Sequence, residues 1–180
     1  MNSEWFDKPG GEPVHLVEHD PSWADQAAEW MLRIQDAIGP AAASAEHIGS
    51  TAVPGLIAKS VLDLQIAVPD ISEESAYRSG LEALGLVLRQ RETGHLFFRP
   101  PAGEPRTVHI HVCQLGSVWE REHLVFRDRL REDANIATAY AELKQDLATR
   151  VGDDRIAYAR GKAQFIKDVV DGKPLHGRSA

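Results

Sequence analysis

The sequence predicts an α/β (α+β) fold: a mixed sheet flanked by helices, with a helical C-terminal part. Three observations carry this. Val61 to Val68 alternates strictly, with Leu62, Leu64, Ile66 and Val68 on one face and Asp63, Gln65 and Ala67 on the other. Asp20-Pro21 opens a run whose apolar residues, Trp23, Ala27, Trp30, Met31 and Ile34, recur at helical spacing. Beyond Trp119 the apolar positions follow only the helical period.

In chain order, residues 1–13 read as a flexible arm, because Pro9, Gly10, Gly11 and Pro13 oppose regular structure. Val14 to Glu18 fits a short strand, and Asp20 caps the first helix. Glu46 to Ile48 is read as a first central strand. Asp70 with Glu73 resembles a capping box for a helix that runs to about Leu84 and stops at Gly85. Leu86 to Arg91 and Leu96 to Arg99 are strands around a Thr93-Gly94 turn, and Thr107 to Gln114 is a further strand beyond a Pro-rich loop. Three helices follow. Their faces are marked by Trp119, His123, Phe126 and Leu130, by Tyr140, Leu143 and Leu147, and by Tyr158, Phe165 and Val169. Residues 14–171 thus form a single domain, and residues 172–180 read as a flexible tail.

Composition narrows the function classes. The 180 residues suffice for one domain with a core, and the net charge of −7 opposes broad nucleic-acid or anionic-membrane binding. Cys113 is the single cysteine, which leaves no disulfide framework and no thiolate zinc cluster. No apolar run approaches the ~18 residues of a membrane span, and the N-terminus lacks the apolar core of a signal peptide. The expectation is a cytoplasmic protein. Trp5, Phe6 and Trp119 leave a homodimer open.

The run from His47 to Ile66 carries the chemistry. Gly49-Ser50-Thr51 is a turn whose glycine permits close backbone approach and whose hydroxyl and amides can donate to phosphate oxygens. Asp63, on the strand that follows, can hold a divalent cation. His109 and His111 stand two apart on one strand face, so both can point at one ion or phosphate. His95 and Arg99 flank Phe97 on another strand. A wet outer sheet face accounts for the same polar positions equally well. Arg127 and Arg131 share a helix face, as do Tyr140 with Lys144 and Tyr158 with Lys162. Each Tyr-Lys pair fits a ring that stacks on a base beside an ammonium that meets a phosphate, or a core tyrosine beside a solvated lysine.

The run His47-Ile48-Gly49-Ser50-Thr51-Ala52-Val53-Pro54-Gly55-Leu56, with Lys59 and Asp63, closely resembles the GrpB family (UPF0157). The likeness continues through Phe97-Phe98-Arg99, His109-Ile110-His111-Val112, His123-Leu124, Phe126-Arg127-Asp128, Leu130-Arg131, Tyr140 with Lys144, and Tyr158 with Lys162 ahead of Phe165. It spans about residues 14–170. The resemblance implies the nucleotidyltransferase superfamily, in which similar domains occur joined to dephospho-coenzyme A kinase. By that likeness Gly49, Ser50 and Thr51 contact phosphate, and Asp63 is the first metal-binding carboxylate. Two departures stand out. Gln65 occupies the place of a second acid, and His109 or His111 is the best candidate for the third.

Together these residues imply transfer of a nucleotidyl or phosphoryl group from a nucleoside triphosphate, ATP first, to a small acceptor, with adenylate-forming ligation as a variant. Asp63, His109 and His111 are the catalytic and metal-binding candidates. Gly49, Ser50, Thr51, Lys59, Arg99, Arg127, Tyr158 and Lys162 are the nucleotide-binding ones. The metal is expected to be magnesium or manganese, with zinc as an alternative; by ligand type one Asp with two imidazoles suits zinc, manganese or iron better than magnesium. Two alternatives are a non-catalytic module that binds a nucleotide or phosphometabolite, and a metal-dependent hydrolase of small molecules.

Overall fold

The computed structural model describes residues 4–6 and 13–174. Among the described residues, six strands form one sheet: β1 (Glu4–Trp5), β2 (Ser44–Ile48), β3 (Leu62–Val68), β4 (Val87–Glu92), β5 (His95–Arg99) and β6 (Val108–Gln114). Their order is β1-β4-β5-β6-β3-β2. The β3–β6 pair is parallel and every other pair is antiparallel, so the sheet is mixed as the sequence predicts.

Two helices cover one face, α1 (Ser22–Ile38) and α2 (Arg78–Ala83). Trp23, Ala27 and Ile34 of α1 and Leu81 of α2 pack on Leu62, Leu64, Ile66 and Val68 of β3, with Phe98 of β5 and Ile110 of β6. Their burial is the main apolar contribution to stability, about 1.5–3 kcal/mol per large side chain. Three helices occupy the other side: α3 (Val118–Glu132), α4 (Ala134–Val151) and α5 (Arg155–Val170). Phe126, Leu130, Tyr140 and Val169 hold these three together around Val53 and Leu56 of the loop after β2. Each has its own N-terminal cap. The Ser117 hydroxyl accepts from the Glu120 amide at 3.1 Å, Asp133 from Asn135 at 2.8 Å, and Asp154 from Ile156 at 2.9 Å.

Four expectations change. β2 lies at a sheet edge, not in the centre, because β3 takes β6 as its other neighbour. The segment Val14 to Glu18 makes only one bridge, Val17 to Ala58. α2 starts at Arg78, because Asp70 turns its carboxylate onto the amide and hydroxyl of Ser72 instead of capping a helix, and a 3-10 turn over Glu74–Ala76 intervenes. Within the expected loose arm, Glu4–Trp5 pairs with β4, and Glu4 forms an ion pair with Arg91 at 2.6 Å. The rest of that arm, residues 1–3 and 7–12, and residues 175–180 of the expected tail lie outside the described residues. No helix of the described residues is long and apolar enough to cross a membrane.

Candidate active site

The side of the sheet away from α1 and α2 forms the floor of a cavity of about 490 Å³ roofed by α3, α4 and α5. Register explains what stands on that floor. In the parallel β3–β6 pair Asp63 lies opposite His109, and in the antiparallel β5–β6 pair Phe97 lies opposite His111. Alternation then sends Asp63, His95, Phe97, His109 and His111 to the cavity side, while Leu64, Leu96, Phe98 and Ile110 enter the core.

The carboxylate is the hub. Asp63 Oδ1 lies 3.0 Å from His109 Nδ1 and 3.6 Å from His111 Nε2. Burial acts to raise the Asp63 pKa, but the hydrogen bonds from His109 and His111 outweigh it and hold the carboxyl well below its usual range. Burial holds the His109 pKa down, so a neutral imidazole donates Nδ1–H to the carboxylate. Gly49, in the left-handed region at φ +71°, brings the bend against the same group: a Cβ there would stand 2.5 Å from Asp63 Oδ2. The bend is braced from behind. His47 Nε2 meets Thr51 Oγ1 at 2.9 Å, and His47 itself does not line the cavity.

A cationic and aromatic wall faces the carboxylate. Lys144, only 2% exposed, donates to Ser50 Oγ at 3.1 Å and to the Ile57 carbonyl, with its ammonium 4.8 Å from the Tyr140 ring centre. Lys162 and Lys59 lie 4.9 and 5.8 Å from the centre of the Tyr158 ring. Burial lowers all three ammonium pKa values, Lys144 to about 7 and Lys59 to about 8. Three partly desolvated ammonium groups facing one carboxylate favour an anionic guest, which would restore their charge.

A third wall is made of rings. His95 Nε2 lies 3.0 Å from His111 Nδ1, and Trp119 stacks on His95 with centroids 4.5 Å apart and on His123 at 3.6 Å. Burial pushes His95 down to about 2 and His123 to about 4, so both rings are neutral. Phe97 stacks on His111 at 5.1 Å.

Of the residues singled out from sequence, Gly49, Ser50, Thr51, Lys59, Asp63, His109, His111, Tyr158 and Lys162 line this one cavity. Arg127 and Arg99 do not. Arg127 pairs with Glu46 at 2.7 Å and donates to the His47 carbonyl at 3.1 Å, which ties α3 to β2. Arg99 shares the face of His95 and Phe97 but donates to the Pro100 carbonyl at the strand end. Gln65 lies further along β3 than Asp63, fully buried and outside the cavity lining. In the sequence Trp119 and His123 mark one helix face, Trp119 is also a dimer candidate, and His123 belongs to the GrpB-like run. Their spacing of four residues puts both on one helix face, which is the available signal.

The donor set at Asp63 is one carboxylate and two imidazoles whose ligand atoms lie within 4.8 Å of one another. A magnesium pair held by several carboxylates does not fit it, because magnesium demands oxygen ligands and Gln65 offers none here.

A UPF0157 protein of Streptomyces coelicolor is 40% identical over 153 residues, covering 85% of this chain and 80% of its own. The crystal structure of the conserved protein GrpB from Enterococcus faecalis superposes with a TM-score of 0.79 at 31% identity, over 88% of this chain and 96% of that one. The Cid1 poly(U) polymerase bound to MgGTP superposes at a TM-score of 0.52 with 14% identity, over 74% of this chain and 45% of its own, a likeness of fold alone. Residues 13–171 match the family described as GrpB protein, so the chain belongs to the GrpB family and has a nucleotidyltransferase-like fold.

Proposed function

We propose that the protein moves a nucleotidyl or phosphoryl group from a nucleoside triphosphate, ATP first among them, to a small acceptor. The observation that supports this is the meeting of the Gly49-Ser50 bend, the Asp63 carboxylate and Lys59, Lys144 and Lys162 in one cavity. Ser50 and the bend receive the β- and γ-phosphates, and the three lysines offset their charge. The Tyr158 and Tyr140 rings give the wall beside them its apolar surface. Asp63 meets the divalent cation that accompanies the phosphates. In the nucleotidyl case the acceptor's lone pair attacks the α-phosphorus, the bond to the bridging oxygen breaks, and pyrophosphate leaves with the electron pair. Positioning and fixed charge supply most of the acceleration in such a step.

One observation favours a second reading, a binding module without turnover: Gln65, in the place of a second acid, carries no charge and is not among the residues that line the cavity. Thermal shift and pyrophosphate release separate the two. ATP at a hundred times its Kd is expected to stabilise the protein by about 2.7 kcal/mol, a Tm rise of about 5–10 °C for a chain of this size. Asp63→Asn is expected to cut turnover by about 10²–10³. Turnover of that variant near the wild-type rate would defeat the transfer reading, and binding with no product at all would establish the module.

Proton uptake gives an independent check. Lys144 and Lys59 titrate near 7 and 8 in the free protein, so both are largely neutral at pH 8.5. A bound polyanion favours their charged forms and raises both pKa values, so binding takes up protons, about one to two at that pH. Calorimetry in buffers of different ionisation heat measures this number. Zero uptake would show that the triphosphate does not touch these lysines.

A further inference from the structure

We propose that Asp63, His109 and His111 form a site selective for a first-row transition cation of the zinc, cobalt or manganese type over magnesium, with His95 the positioning residue that aims His111 at it. The proposal rests on the reading of Asp63 as a cation-binding carboxylate and adds the ion's class and the residue that selects it.

One row of side chains leads to the cation. Four groups form a row across the sheet: Glu92, His95, His111 and Asp63. Glu92 Oε2 lies 3.8 Å from His95 Nδ1, His95 Nε2 lies 3.0 Å from His111 Nδ1, and His111 Nε2 lies 3.6 Å from Asp63 Oδ1. At the Asp63 end, the carboxylate, His109 and His111 each offer one ligand atom, and these atoms lie within 4.8 Å of one another. A cation among them would take all three as ligands, with His111 Nδ1 left to donate to His95 Nε2 at 3.0 Å.

The rings cannot readily turn away. His111 is stacked between Phe97 and Trp119, with centroids 5.1 and 5.4 Å away, and His95 lies against both His111 and Trp119. His95 itself is only 7% exposed, which shields its bond to His111 from water. An imidazole ligand whose second nitrogen donates to a buried acceptor has a fixed tautomer and a fixed aim, and loss of such a partner costs about 10–100-fold in metal affinity. Two imidazoles and one carboxylate suit zinc, cobalt or manganese and leave magnesium short of oxygen ligands.

The test uses the full chain, stripped of metal and without nucleotide. Cobalt(II) titration, followed by visible absorption, is expected to saturate at one ion per chain with nitrogen-ligand bands, zinc to displace the cobalt, and millimolar magnesium to leave it in place. His95→Phe keeps the ring stack but removes the acceptor, and is expected to weaken cobalt binding about 10–100-fold. His95→Asn restores an acceptor and is expected to recover part of that loss. Circular dichroism and Tm of each variant report folding separately. Absence of cobalt bands in the wild type, displacement by magnesium, or unchanged affinity in a folded His95→Phe variant would overturn the proposal. ATP binding, measured by thermal shift on the same sample, stands or falls independently, so failure of the metal site and failure of the transfer reading are distinguishable.

Discussion

Gly49→Ala is expected to abolish nucleotide binding and lower stability together. The backbone at this position has φ +71°, and a left-handed conformation costs an L-residue about 1–2 kcal/mol. The new methyl would also stand 2.5 Å from Asp63 Oδ2, so the carboxylate must leave its place between the imidazoles. Gly55→Ala is the matched control. Its φ of +76° carries the same backbone cost, but nothing lies within 4 Å of its added Cβ. Both variants should lose Tm, at about 2–4 °C per kcal/mol for a chain of this length. Only Gly49→Ala should lose ATP affinity as well. Equal ATP affinity in the two variants would show that contact between the bend and the carboxylate does not matter for binding.

Gln65→Met is expected to act in the opposite sense and stabilise the fold by about 1–3 kcal/mol. Gln65 is fully buried, and neither its amide nitrogen nor its amide oxygen has a hydrogen-bond partner. Methionine has a similar length and no group that must be desolvated, so the change removes a penalty without opening a void. Because Gln65 lies outside the cavity, nucleotide affinity should not change. Denaturant unfolding gives the sign directly. A loss of stability would mean that the amide is satisfied in solution, by water or by movement of a neighbour.

Much of the fold was legible because its signals are local. The period-two pattern of β3, the Thr93-Gly94 turn between β4 and β5, and the helical spacing beyond Trp119 each arise within a few residues. The convergence of Asp63 with His109 and His111 was also legible, since one face of each strand was polar. What sequence could not supply was the neighbour of each face. Arg127 and Arg131 share a helix face, but only packing shows that it meets Glu46 and the Ala52 carbonyl instead of the cavity. Trp119 and His123 share another, and only the crossing of α3 over the sheet brings His123 to the cavity, with Trp119 stacked on both it and His95. The start of α2 failed for a different reason. Asp70 serves an Asx turn as readily as a cap, and the choice depends on the chain beyond it.

β6 is the last strand in the chain, yet it lies between β3 and β5. Without it the sheet is two separate antiparallel pieces, β2 with β3 and β1 with β4 and β5, joined by nothing in register. The strand that unites them is also the one that delivers both imidazoles to Asp63. No half-assembled chain emerging during synthesis can therefore hold a ligand that needs those imidazoles. Occupancy of the centre reports that the whole sheet has closed, and the free energy of that occupancy is added only to the finished molecule.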